Sequence, residues 1–249
     1  MLFGNKFIFL NDDVSFQASR FNFLRNYQLS KLGYTSSLLD FHLFIDAFNI
    51  ADRIKIKGLN IKDLKEKIIT KAFEFSYFEE TITLINLMSK SNPLSNIQYA
   101  FLGVSHFYLK NKLEKEDCFK KALELSPENP TVLIYLGFCL SEEGDFSLAL
   151  DYLQKVNDTE MISAFYFSLL GLCKLELGKA SEALNDLNKA ISIDKNEPYA
   201  YRNLGIYELK LGNLYEAKNY FMQSKKMNKV VDRIDSLILE VDKKIAEIL

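Results

Sequence analysis

Histidine is scarce in this 249-residue chain: His42 and His106 stand alone, and neither has a second His or a Cys at metal-ligand spacing. The three cysteines, Cys118, Cys139 and Cys173, include no CxxC pair and fall inside apolar helical patterns. That usage suits reduced, buried thiols in a cytoplasmic protein. Charge of one sign is lacking too. The formal net charge is -2, with Lys and Arg interspersed among Asp and Glu, so no face has the basic excess that phosphate binding demands. The densest basic cluster, Lys225-Lys226 with Lys229, reads as a solvated helix end. No window approaches ~18 uninterrupted apolar residues, which argues against a membrane span. The apolar start is broken by Asn5 and Lys6 and lacks a cleavage site, which argues against a secretory leader.

Catalytic motifs are missing as well. There is no GxGxxG, no Walker lysine loop and no GxSxG elbow. The acidic pairs Asp12-Asp13, Glu79-Glu80 and Glu142-Glu143 are sequence neighbours, which point to different faces of a helix. The expectation is a chain with no enzyme activity, no metal and no cofactor.

What the chain does have is a repeat. Leu-Gly occurs at Leu102-Gly103, Leu136-Gly137, Leu170-Gly171 and Leu204-Gly205, each 34 residues from the last. Gly144, Gly178 and Gly212 keep the same step, as do Ala149, Ala183 and Ala217. Four residues beyond those alanines stand Leu153, Leu187 and Phe221. Each unit carries apolar residues at helical spacing, breaks at glycine, then resumes. At Gly144-Asp145-Phe146 the glycine is placed to end one helix and Asp145 to cap the next. Gly137, Gly171 and Gly205 lie in mid-helix, where Gly is ~1 kcal/mol worse than Ala. A penalty taken once per repeat points to close helix approach, with the alanines as the facing small surface.

This pattern resembles the tetratricopeptide (TPR) repeat, whose signature has Leu-Gly, then A-x3-F, then Pro over 34 residues. In that register repeats fall at 96–129, 130–163, 164–197 and 198–231, with a degenerate one at 62–95 implied by Pro93 and Pro127. The resemblance covers about two thirds of the chain. Tryptophan is absent, and its signature place is held by Tyr99, Leu133, Phe167 and Tyr201. The degenerate repeat has Ile68-Ile69 for Leu-Gly and Thr81 for the alanine. Lys115 fills the alanine slot of 96–129, which predicts a helix pair spread apart or longer at its turn. The implied fold is an all-α solenoid, a right-handed superhelix with a helical extension over 1–61 and a C-terminal capping helix over 232–249.

Both ends leave alternatives. Residues 230–249 place Val231, Ile234, Leu237, Ile238, Val241, Ile245 and Ile248 on one stripe, as a cap or as a short coiled-coil dimerisation helix. Residues 1–61 are rich in Phe, with a short extended run at 7–10 and helices expected near 14–31 and 36–55. They read as a helical cap or accessory bundle. The competing reading is a nucleic-acid-binding segment of a peptide-sensing regulator, although it lacks a basic exposed helix.

The resemblance implies that the first helix of each repeat lines a concave groove. The candidate partner-binding residues are then Ile97, Val104, Phe107 and Tyr108 from the first repeat, and Ile134, Phe138 and Glu142 from the second. The third offers Phe165, Leu172 and Glu176, and the fourth Tyr199, Arg202, Ile206 and Lys210. TPR domains that clamp the acidic tail of heat-shock chaperones carry Lys at the fifth position and Asn at the ninth and sixth; here the ninth positions are Val104, Phe138, Leu172 and Ile206, and only Asn203 echoes that set. The apolar lining instead suits an apolar helix or extended segment of another protein, in a chaperone-like or immunity-like role. The groove is alternatively covered by the chain itself or by a second copy, making a homodimer. On the groove reading, Phe138 and Leu172 are expected to accept Asp without loss of the fold.

Overall fold

A computed structural model describes residues 43–54, 56, 58–157, 162–227, 231 and 233–248. The described residues hold twelve α-helices and no strand. The run at 7–10 and the helix expected near 14–31 lie outside them. Of the helix expected near 36–55, the described part is α1, Phe44–Ala51. The described residues form two compact units, one through residue 94 together with 108–110, the other from 95–107 and 111 onward.

In the first unit, α2 (Ile61–Glu74) starts at Asn60, whose side chain accepts hydrogen bonds from the Lys62 and Asp63 amides. With α3 (Phe78–Ser89) it forms a helix pair around Ile68, Ile69, Leu84, Ile85 and Met88, all buried. Phe44 of α1 packs on Tyr77 at 5.2 Å between ring centroids. Thr81, in the alanine slot, is fully buried and donates its hydroxyl to the Tyr77 carbonyl, so the polar atom is satisfied within its own helix.

The second unit is a succession of helix pairs: α4 (Asn96–Tyr108) with α5 (Lys112–Leu125), and α6 (Pro130–Glu143) with α7 (Phe146–Leu153). Then come α8 (Ala164–Glu176) with α9 (Ala180–Ile193), and α10 (Pro198–Leu211) with α11 (Leu214–Met227). A methyl group on Gly103 or Gly137 would sit 2.7 Å from Phe119 or Leu153, and one on Gly171 2.6 Å from Leu187. One on Gly205 would lie closer still to the Phe221 ring. The large residue four beyond each alanine therefore rests directly on the mid-helix glycine, which is why the helix-propensity loss recurs.

The Lys115 expectation is corrected here. Gly103 is as tightly covered as its counterparts, so the first pair is not spread. Lys115 is 5% exposed, and its ammonium reaches the Glu143 carboxylate of the next pair. The flexible stem fills the space of an alanine neighbour while the charge finds a partner.

The turns repeat as well. Gly144, Gly178 and Gly212 have φ of 89°, 80° and 82°, the left-handed region that closes a helix without a Cβ penalty. At the same step, Lys110 and Ser76 adopt φ of 60° and 62°. The backbone period thus runs back into α2–α3, where the sequence signature has faded.

The last helix, α12 (Ile234–Ala246), buries Ile234, Leu237 and Val241 with Val231 against Ala217 and Phe221. Ile238 and Ile245 are partly buried, whereas Ile248, expected on the same stripe, is 75% exposed. One step beyond Gly205 the sequence has Leu239, which is exposed.

Replacing Gly205 with Ala is expected to destabilise the protein by about 1–3 kcal/mol, although Ala is the better helix former. Urea unfolding measures it; an unchanged or higher midpoint would show that the Phe221 contact is not tight.

Candidate functional site

The first helices α4, α6, α8 and α10 bring most of the expected groove residues onto one face, but they close much of it. Phe138 lies at the centre, with ring centroids 5.7 Å from Phe107, 5.7 Å from Phe165 and 5.8 Å from Tyr199. Phe165 and Tyr199 are 5.2 Å apart. The α6 and α10 side chains therefore meet across two repeats, and Phe138 is 3% exposed. Val104, Ile134 and Leu172 are buried with it. Phe107, Phe165, Tyr199 and Ile206 are half-buried, and Ile97 is 38% exposed. Tyr108 is not part of this group: it belongs to the first unit, stacked on Phe78 at 4.2 Å.

Arg202, expected at the groove surface, is 1% exposed. Its guanidinium donates to the Glu142 carboxylate at 2.6 Å and to Asn203 Oδ1 at 3.0 Å, and lies 5.0 Å from the Tyr199 ring. Asn203 in turn donates to the Ser168 carbonyl at 2.8 Å, so this residue, too, is committed within the fold. A buried guanidinium is tolerable because paired carboxylate, amide and ring surround it.

Glu197 caps α10, accepting from the Tyr199 amide at 3.0 Å. Burial pushes its carboxyl up from the ordinary 4.5 to about 7; the Tyr199 amide opposes this, Asp194 adds to it, and Arg202 opposes it. The Cys173 and Cys118 thiols are buried outside any disulfide, and loss of hydration raises them to about 12 and about 11, far from a nucleophilic range.

Beyond the aromatic cluster, the same face opens into a cleft of about 320 Å³. Its apolar lining is Phe146, Leu172, Ile206, Leu209 and Leu237. Charged groups ring it: Glu142 with Arg202, Glu176 with Lys210 at 3.0 Å, and Glu240 with Lys244 at 3.8 Å, besides Arg233. Six of the sequence-predicted residues, Glu142, Leu172, Glu176, Arg202, Ile206 and Lys210, meet there. Arg233, at the N-cap of α12, and the α12 residues Leu237, Glu240 and Lys244 were missed. The signal was available, since Arg233, Glu240 and Lys244 each follow a groove position by one repeat length. The cleft wall adjoins the amphipathic stripe of α12, and Leu237 belongs to both.

No group of His, Cys, Asp and Glu among the described residues is arranged to hold a metal ion. Among those residues no helix is long and apolar enough to cross a membrane. His106 rests beside Asn111, and burial lowers its pKa; His42 lies outside the described residues.

Two family models match the chain, one described as tetratricopeptide repeat over residues 99–129 and one as TPR repeat over 171–212. The chain is a TPR protein. Solved TPR structures share its fold. PilW, a type IV pilus biogenesis factor, superposes with a TM-score of 0.59 at 18% identity, over 76% of this chain and 88% of its own. A thermophilic TPR protein of Thermus thermophilus gives 0.57 at 15% identity, over 72% and 98%. PilF of Pseudomonas aeruginosa gives 0.54 at 18%, over 74% and 84%. No curated protein matches the chain in sequence. TPR repeats generally mediate protein–protein interactions, and proteins built from them are typically non-catalytic scaffolds.

The burial of Phe138 and Leu172 overturns the expectation that both tolerate Asp. Phe138→Asp strands a carboxylate among three rings and is expected to cost about 3 kcal/mol or more in urea unfolding. A variant as stable as the parent would mean that the cluster opens readily.

Glu197 makes stability depend on pH. Between about 4.5 and about 7 the folded protein keeps a proton that the unfolded chain has released, so stability falls as pH rises through that window. The loss is complete above about 7 and at most about 3 kcal/mol. Glu197→Gln keeps the cap acceptor and should flatten this fall between pH 5 and 8 in matched unfolding curves. An unaltered slope would place the dependence elsewhere.

Proposed function

We propose that this TPR protein is a non-catalytic binding module that holds an apolar helical or extended segment of another protein, in a chaperone-like or immunity-like role. The observation that carries the reading is the cleft between α6, α8, α10 and α12. On a face otherwise filled by its own rings and by the Arg202–Glu142 pair, this stretch keeps an apolar floor open to solvent. Such a surface takes bulky apolar anchors from a partner, while the surrounding ion pairs set orientation. The 62–231 array is the scaffold for this cleft, with 232–249 as its cap. The three buried cysteines, none of them in a disulfide, support a reducing, cytoplasmic setting.

The test couples light scattering of the purified protein to affinity capture from its source lysate. The expected result is a monomer that retains one stoichiometric partner. Ile206→Glu, on the floor of the cleft, should weaken retention at least about tenfold, equivalent to ~1.4 kcal/mol. Lys210→Glu, at the exposed rim, is the second variant should Ile206→Glu fail to fold. Retention unaffected by either, or a stable dimer that retains nothing, would overturn the reading.

A further inference from the structure

The cleft has a wall that the repeat signature does not announce. Stepping one repeat length from Tyr199, Ile206 and Lys210 of α10 leads to Arg233, the N-cap of α12, and to Glu240 and Lys244 within it, and all three line the cleft. The α12 helix therefore occupies the place of a fifth first helix and carries the lining onward with charged groups in place of aromatic and aliphatic ones. One column of that lining runs Glu142, Glu176, Lys210, Lys244, acidic toward α6 and basic toward α12.

The acidic half is already neutralised. Glu142 is held by buried Arg202 at 2.6 Å, and Glu176 by Lys210 at 3.0 Å. In the basic half, Lys244 meets Glu240 only at 3.8 Å, with both side chains about half exposed. Arg233 has no carboxylate partner among the described residues. The net result is four cations against three carboxylates, with the surplus at the α12 wall beside the apolar floor.

We infer that Arg233 and Lys244 form the specificity-determining wall of the cleft, recognising an acidic side chain that lies next to a bulky apolar anchor in the bound polypeptide segment. The inference rests on the reading of the cleft as a partner site. Charge complementarity selects the acidic group, because a carboxylate there gains a guanidinium and an ammonium without displacing a buried pair. A polypeptide is the occupant because the face continues beyond the cleft through half-buried Tyr199 and Phe165. A chain laid on the floor has further apolar surface to follow.

The test pans a library of random 12-residue peptides on the full chain and on the doubly reversed variant Arg233→Glu/Lys244→Glu. Both residues are exposed, and circular dichroism melts serve to check that the variant folds. The parent should enrich peptides with Asp or Glu within about one helical turn of Leu, Ile or Phe. A synthetic peptide from that set should bind the variant at least tenfold more weakly, and the binding to the parent should weaken with salt. Enrichment without acidic preference, or binding that survives the reversal while Ile206→Glu abolishes it, would overturn this inference and leave the cleft reading standing. No enrichment by the parent would overturn both.

Discussion

The contact on which the fold depends is a side chain resting on a missing one. In each pair of the second unit a Phe or Leu from the second helix occupies the space where a first-helix residue would carry its Cβ. The pair can then close to backbone contact, and its apolar faces have little freedom to slide. Left-handed turns at a fixed step fold the second helix of each pair back onto its first in the same attitude. Positions one repeat apart consequently fall into columns on a face. Beyond the last of these pairs, α12 covers Ala217 and Phe221 with its apolar stripe.

Columns make the face, and their residues divide it. Between α4 and the start of α10 the rings of Phe107, Phe138, Phe165 and Tyr199 consume the surface by meeting one another. Toward the C-terminal ends of α6, α8 and α10, and along α12, the lining is largely aliphatic or charged, and it leaves a cleft. A groove of this kind is thus partly scaffold and partly site, and the boundary between the two lies at Arg202.

The glycine and alanine ladders were legible because they record a steric demand that only small residues meet. The degenerate repeat was legible only from its prolines, since Ser76 adopts by tertiary constraint the turn that glycine adopts freely. Lys115 misled because a residue type was taken for its size, whereas its stem packs and its charge travels to Glu143. Burial of Phe138 was not readable: it depends on how closely α6 approaches α10, two repeats away, and no local pattern encodes that distance. The α12 wall was hidden by a stronger signal, the apolar stripe that adjoins it on the same helix and shares Leu237 with it. Six of the fourteen expected site residues meet in the cleft. Those deep in the cluster are where a column position coincides with an inter-repeat contact.

The Arg202–Glu142 pair bears on why the face stays divided. A buried ion pair rarely adds stability over an apolar pair of the same volume, because the desolvation of both ions offsets their attraction. Its value lies in what it forbids. Glu142 and Arg202 stand on first helices two repeats apart, and each would be left an unpaired buried charge if those helices shifted. The apolar cluster beside them tolerates small slips, since rings can re-pack at similar energy. The ion pair does not, because its bond at 2.6 Å and the relay through Asn203 to the Ser168 carbonyl all fail together. It therefore fixes the spacing of α6, α8 and α10 at the edge of the cleft. A binding surface built from stacked repeats needs such a fixture, because its shape is set by the relative placement of units that otherwise touch only their neighbours.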